Sequence, residues 1–253
     1  MKKLLVLALA LVLALSMVAC ATDAEPEEKV TDAPKATEAT EDEEPEEAVV
    51  MSYEEFVAAE IDSEVTVETY IQAKQGHWTD DQGVSKATFY TQNEEGAYFL
   101  YDMPCSAEEY EALTEGTKIK VTGYKAEWSG EVEIIDAKFE IIEGDQFYAA
   151  ATDVTEYLGT DELINHMNKL VTFTDMTVES IEYKNGEPGD DIYVNFTKDD
   201  AAYSFCVEMY LTGPDSEVYT AVGELAAGDV VDVEGFLYWY EGPNTHITAV
   251  TVK

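Results

Sequence analysis

Gly116-Thr117-Lys118-Ile119-Lys120-Val121-Thr122-Gly123-Tyr124 returns 112 residues later as Gly228-Asp229-Val230-Val231-Asp232-Val233-Glu234-Gly235-Phe236. In each copy two glycines bracket a run that alternates apolar with polar side chains, the pattern of a half-buried strand. The match continues in register, with Trp128 against Tyr240, Gly130 against Gly242, Ile135 against Ile247 and Ala137 against Ala249. Between Leu113 and Ala137, seven of 25 positions are identical to their counterparts. An echo at one fixed period marks a duplicated module.

The residues around each copy complete the module. Ser52-Tyr53-Glu54-Glu55 is a capping box that opens a short helix, with Tyr53, Phe56 and Val57 on its apolar side. Val65 to Ile71, Lys86 to Gln92 and Ala97 to Met103 then read as three strands, the last two joined by the turn Asn93-Glu94-Glu95-Gly96. Ser106 and Glu109 cap a second short helix, which turns Tyr110 and Leu113 inward and closes at Gly116. Thr117 to Tyr124 and Val132 to Ile142 are the last two strands, and a slip of phase between Ile134 and Ile135 suggests a bulge. The second copy follows the same order. A lead helix holds Leu163, Ile164 and Met167, strands cover Val171–Val178, Asp191–Thr197 and Ala201–Tyr210, and a helix spans Ser216–Leu225. Strands Asp229–Phe236 and His246–Val252 close it.

Three strands, a helix and two strands make the five-stranded Greek-key barrel of the OB fold. The expected fold class is mainly β: two tandem OB-like barrels, each with a short helix before strand 1 and another between strands 3 and 4. The expected domains are 51–143 and 161–253, joined by a linker over 144–160. The helix, the Gly-x-x-hydrophobic-x-Val-x-Gly element and the Ile-x-Ala strand resemble bacterial OB-fold families of secreted lipoproteins, including those called tRNA-anticodon-like. That resemblance implies the fold and an extracytoplasmic setting, and carries over no site residue.

The N-terminus points to the same compartment. Met1-Lys2-Lys3 precedes an apolar run from Leu4 to Val18, shorter than the roughly 20 residues of a bilayer span. Met17-Val18-Ala19-Cys20 resembles a lipobox, so residues 1–20 read as a lipoprotein signal and Cys20 as the lipidated residue. Residues 21–50 hold twelve acidic side chains and two lysines, the composition of a disordered acidic tether. The expected location is the extracytoplasmic side of a bacterial membrane, reached through the N-terminal lipid.

The chain carries a formal charge of −40, of which residues 1–20 contribute +2 and residues 21–50 contribute −10, leaving −32 for residues 51–253. It contains no arginine. Phosphate backbones are held by Lys and Arg, so this balance predicts no nucleic-acid partner. Enzymatic signatures are missing. His77, His166 and His246 stand outside any zinc spacing, and no nucleophile elbow or phosphate loop is present. Asp80-Asp81, Asp190-Asp191 and Asp199-Asp200 match no calcium loop and read as solvated turns. No catalytic residue, metal site or cofactor is expected. Cys105 and Cys206 fall at unrelated positions of the two modules and read as separate buried thiols, with a bridge between the modules as the alternative in an oxidising compartment.

The aromatics are the remaining signal. OB folds bind through strands 2 and 3 and the loops joining strands 1–2 and 4–5. Trp78 falls in the first of those loops, and Trp128, Tyr238, Trp239 and Tyr240 fall in the 4–5 hairpins. The alternative for these rings is packing at barrel ends or between the modules. The expected function is a non-catalytic binding or scaffold protein that takes a neutral glycan or small ligand on these loops. A protein that docks to another envelope protein is the second reading, and a nucleic-acid module the last. Oligomeric state is left open.

Overall fold

Ser52 and Ser106 each accept the backbone N–H of the residue three positions on, and Glu55 and Glu109 return the bond to the serine N–H. These reciprocal caps satisfy helix-end donors and allow two single-turn helices to start abruptly. The computed structural model describes residues 49–253. The expected export signal, Cys20 and the tether up to residue 48 lie outside the described residues.

The first module runs α1 (Tyr53–Ala58), β1 (Glu64–Lys74), β2 (Trp78–Thr79), β3 (Ser85–Gln92), β4 (Ala97–Pro104), α2 (Ala107–Ala112), β5 (Lys118–Trp128) and β6 (Glu131–Ile141). The sheet order is β1-β5-β6-β4-β3-β2, and a further β1–β3 pairing closes a five-stranded barrel with β2 as a flap on its edge. Only β4 and β6 pair in parallel, through Phe99–Glu133 and Leu100–Ile134. Alternation along β1 and β5 sends Val65, Val67, Ile119 and Val121 into the core, with Phe89, Leu100, Met103 and Leu113. Lys125 also turns inward. Its ammonium donates to the carbonyls of Phe56 (3.0 Å), Val57 (2.9 Å) and Ala59 (2.8 Å), the orphan acceptors at the end of α1.

The second module begins inside the expected linker, where β7 (Thr152–Asp153) pairs in parallel with β8 (Leu170–Tyr183). There follow β9 (Ile192–Lys198), β10 (Ala201–Val207), α3 (Met209–Thr212), α4 (Glu217–Gly223), β11 (Val230–Phe236) and β12 (His246–Val252). The order β11-β12-β10-β9-β8-β7, with β11 also paired to β8, repeats the circuit of the first sheet. The chain is thus mainly β and OB-like, as its sequence leads one to expect.

Several local expectations differ. The lead helix of the second module is a four-residue 3₁₀ turn, Leu163–His166, that buries Leu163 and leaves Ile164 exposed. It has no side-chain cap, unlike its counterpart at Ser52. The third strand stops at Val207, because Glu208 caps α3 and Gly213, at φ +82°, ends it. The echo of the last strand also slips. Thr122 pairs with Lys138 and Glu234 with Ala249, so the last strands are related by 111 residues rather than 112. A bulge opposite Gly123, where Asp136 takes φ +49°, absorbs a residue in each copy, and the matches of Ile135 and Ala137 are not structural equivalences. Gly123 is required there: a Cβ would meet Ile134 Cγ2 at 2.7 Å and the Ile135 carbonyl at 2.8 Å.

A third core lies between the barrels. Tyr90 and Phe236 stack at 4.4 Å with planes 11° apart, Phe99 packs beside them, and the Tyr90 hydroxyl meets His246 Nδ1 at 2.8 Å. The Leu170 N–H donates to Gln92 Oε1 at 2.9 Å across the same seam.

Candidate ligand-binding face

The loop after β1 turns back as Gly76-His77-Trp78 and adds β2 to the edge of β3. Beside it, the pairing of β3 with β4 shifts register between Ala87 and Phe89, and Asp102 takes φ +48°. That irregularity aims Tyr101 and Asp102 outward, the usual effect of a bulge beside a binding surface. The Trp78 indole N–H reaches Asp102 Oδ1 at 3.3 Å, and the Asp102 N–H donates to Thr88 Oγ1 at 3.1 Å. Asp80 fixes the turn below by accepting the N–H groups of Gln82 and Val84 and pairing with Lys86 at 2.9 Å. The Lys86 ammonium stands 5.5 Å from the Trp78 ring.

Tyr210 of α3 crosses from the second module, its carbonyl accepting the Gly76 N–H at 2.9 Å. Trp78, Tyr101 and Tyr210 are 45%, 47% and 62% exposed and surround a hollow of about 470 Å³ with Gln75, His77 and Asp102. His77 forms the wall, bonding the Cys105 carbonyl at 3.0 Å and packing 5.2 Å from Tyr110. A second hollow, of about 560 Å³, lies on the β9–β10 face of the second barrel. Tyr193, Tyr203, Trp239, Tyr240 and Asn244 line it. Partial burial raises the phenol pKa of Tyr101, Tyr193 and Tyr203.

The five aromatics singled out in the sequence separate into groups. Trp78 stands in the first hollow. Trp128, 54% exposed, and Tyr240, 45% exposed, meet across the modules at 5.2 Å. Trp239 is half-buried against the second core, beside Gly130, where a Cβ would meet its Cδ1 at 2.8 Å. Tyr238 belongs to the seam, stacked on His246 at 4.5 Å and 5.4 Å from Phe99. Sequence reading missed Tyr101, Asp102 and Tyr210. The first two required the bulge in β3–β4, and the third required knowing how the barrels meet. Cys105 and Cys206 are separate buried thiols. Burial pushes the Cys105 thiol up to about 11, and acidic neighbours add to the effect of burial on Cys206.

A scan against protein-family models finds no match, and neither does a search of curated proteins. Solved structures do match. A murine DNA-binding protein bound to double-stranded DNA aligns over 74% of this chain and 90% of its own, at 10% identity and a TM-score of 0.35. The Ifi202 HINa domain in complex with a 20-base-pair double-stranded DNA aligns over 76% and 98%, at 11% identity and a TM-score of 0.34. A replication protein A heterotrimer bound to single-stranded DNA aligns over 75% of this chain and 49% of its own, at 11% identity and a TM-score of 0.32. At such identities the likeness is one of fold.

These three structures are bound to DNA, against two expectations: the role that put a neutral glycan or an envelope protein first and nucleic acid last, and the exclusion of a nucleic-acid partner. The exclusion rested on charge summed over the chain, whereas a ligand meets the local field of one groove. Asp102 is the one carboxylate lining the first hollow, and the Lys86 ammonium, paired with Asp80, lies 5.5 Å from the Trp78 ring.

Proposed function

We propose that this chain is a non-catalytic, lipid-anchored OB-fold protein on the outer side of a bacterial membrane that takes single-stranded nucleic acid by its bases. The observation that carries the reading is the trio of exposed rings, Trp78, Tyr101 and Tyr210, around the first hollow. Base–aromatic stacking contributes roughly 1–3 kcal/mol per base and tolerates any sequence. Asp102 at the rim is an acceptor for an exocyclic amine of a stacked base. With −32 on residues 51–253, phosphates are repelled beyond the groove, so bases lead and the backbone follows. Salt then acts in the opposite sense to a phosphate-led complex: screening relieves repulsion, and affinity holds or rises.

The test is quenching of tryptophan fluorescence by an unlabelled strand of about 8 nucleotides, within the site sizes of OB folds. Quenching that survives added salt and is lost in Trp78→Ala is expected. No quenching at millimolar strand, or affinity that falls steeply with salt, removes this reading. Anchoring is tested separately: Cys20→Ala is expected to release the protein from membranes or leave it unprocessed, and unchanged retention with unchanged processing counts against the lipid.

A further inference from the structure

Glu131 opens β6 at the junction of the two barrels and is completely buried. Among the described residues no ammonium pairs with it. Both its partners come from the second module: Asn168 Nδ2 donates to Oε1 at 2.6 Å, and the Trp239 backbone N–H donates to Oε2 at 2.8 Å. Asn168 reaches further across the seam, its Nδ2 also lying 3.3 Å from the Val132 carbonyl. The groups that face Glu131 offer no compensating charge. They are Tyr53 of α1, Tyr90 of β3 and Tyr238 after β11, with Glu133 next on its own strand. Lys125 is consumed by the three carbonyls of α1, and Lys169 sits over the Tyr53 ring at 5.7 Å.

We propose that Glu131 is a pH-operated latch between the barrels: the seam closes over the neutral carboxyl and parts when the carboxyl ionises. The proposal stands without the function argued above. A buried carboxylate without a cation is strongly disfavoured: the two N–H donors favour the ionised form, but the loss of hydration outweighs them. Burial raises the Glu131 pKa to about 8, helped by the charge of Glu133 and opposed by the bonds from Asn168 and Trp239. In a parted seam the group regains water and its ordinary value of 4.5. An acid whose value is higher in the closed state favours closure fully below 4.5 and loses that contribution as pH rises to about 8. Within that window the closed-to-parted ratio falls up to about tenfold per pH unit. Glu133 and Glu208, both raised to about 7 by burial, act in the same sense. His246, lowered to about 4 by burial, acts in the opposite sense and only below 6.5. Parting also dismantles the first hollow, because Tyr210 is held there by the Gly76–Tyr210 bond across the modules.

Amide hydrogen exchange on the full chain tests the latch at its own bonds. The reporters are the N–H groups of Trp239, Leu170 and Gly76, which donate to Glu131, Gln92 and the Tyr210 carbonyl. Val121 and Val233, deep in the two barrels, serve as controls. After correction for intrinsic base catalysis, protection at the reporters is expected to fall by up to about tenfold per pH unit from pH 6.5 to 8, with the controls unchanged. Glu131→Gln, neutral at every pH, is expected to remove most of that slope. An equal slope in wild type and variant overturns the proposal, and so does loss of protection at controls and reporters together. Should Glu131→Gln fail to fold, the carbon-13 carboxyl titration of the wild-type chain decides. A Glu131 midpoint above 6.5 supports the latch, and one in the ordinary glutamate range overturns it.

Discussion

Two hairpins that occupy the same place in the repeat end up doing different work. In the first, β5 and β6 run on to Trp128 and Glu131, joined by Ser129 and Gly130, both at positive φ. In Lys125-Ala126-Glu127-Trp128 the lysine turns inward while Glu127 and Trp128 face outward, and the indole is 54% exposed. In the second, β11 ends at Phe236, and β12 starts only at His246. Phe236-Leu237-Tyr238-Trp239 has no polar face to offer water. The ladder breaks, Leu237 turns into the second core, and Phe236 and Tyr238 cover the seam. An amphipathic run leaves one face of its hairpin to solvent, and an unbroken apolar run has to find a neighbour on every side.

The widest gap is expected at the aligned pair Phe236 and Tyr124. Phe236→Ala removes a buried ring stacked on Tyr90 and should cost roughly 3–5 kcal/mol in urea unfolding. Tyr124→Ala, at a largely exposed position, should cost less than about 1 kcal/mol. Equal losses would break the contrast between the hairpins.

The seam side is expected to respond to acid through His246. Burial lowers this imidazole to about 4, so its contribution is complete above 6.5 and is lost as pH falls toward 4. Between pH 6.5 and 4.5, His246→Gln should gain on wild type by about 2 kcal/mol, read as the change in the difference of their unfolding free energies. A difference independent of pH would mean that the ring is not held neutral.

Lys125 and Leu237 are also aligned and both buried, but only the first carries a charge. Lys125→Met keeps the stem and strands three carbonyls at the end of α1, and should cost roughly 2–3 kcal/mol. A neutral outcome in thermal unfolding would show that water replaces the ammonium there. The smallest expected change is at Trp128, whose contact with Tyr240 at 5.2 Å contributes up to about 1 kcal/mol. Trp239→Ala, taken from beside Gly130 and the second core, should cost about 2 kcal/mol, and reversal of this order would refute the assigned roles.

Much of the architecture could be read before any coordinates. Alternation in Val65–Ile71 and Thr117–Tyr124, the paired capping boxes and the glycines around each copied strand all act over a few residues, and the structure keeps them. The misread details share one trait. The end of β10 and the uncapped 3₁₀ turn at Leu163 depend on competing local caps, and the one-residue slip of the last strand on the length of the hairpin connection before it. Those leave the hydrophobic pattern almost unchanged.

The candidate site was less legible, because its parts are brought together from far along the chain. Trp78 could be singled out as a loop aromatic, whereas Tyr101 needed a bulge to face outward and Tyr210 needed the second barrel to lean on the first. By itself, the sequence determined the duplication, the strand order, the barrel interiors and the sign of the overall charge, all of which follow from periodicity and composition. Tertiary structure alone decided which aromatics meet solvent, which local field a ligand would encounter, and that Glu131 would lie buried between two modules without a cation. The reason is physical: periodicity says which face of a strand is apolar, but burial and the pKa shifts it causes depend on what packs against that face.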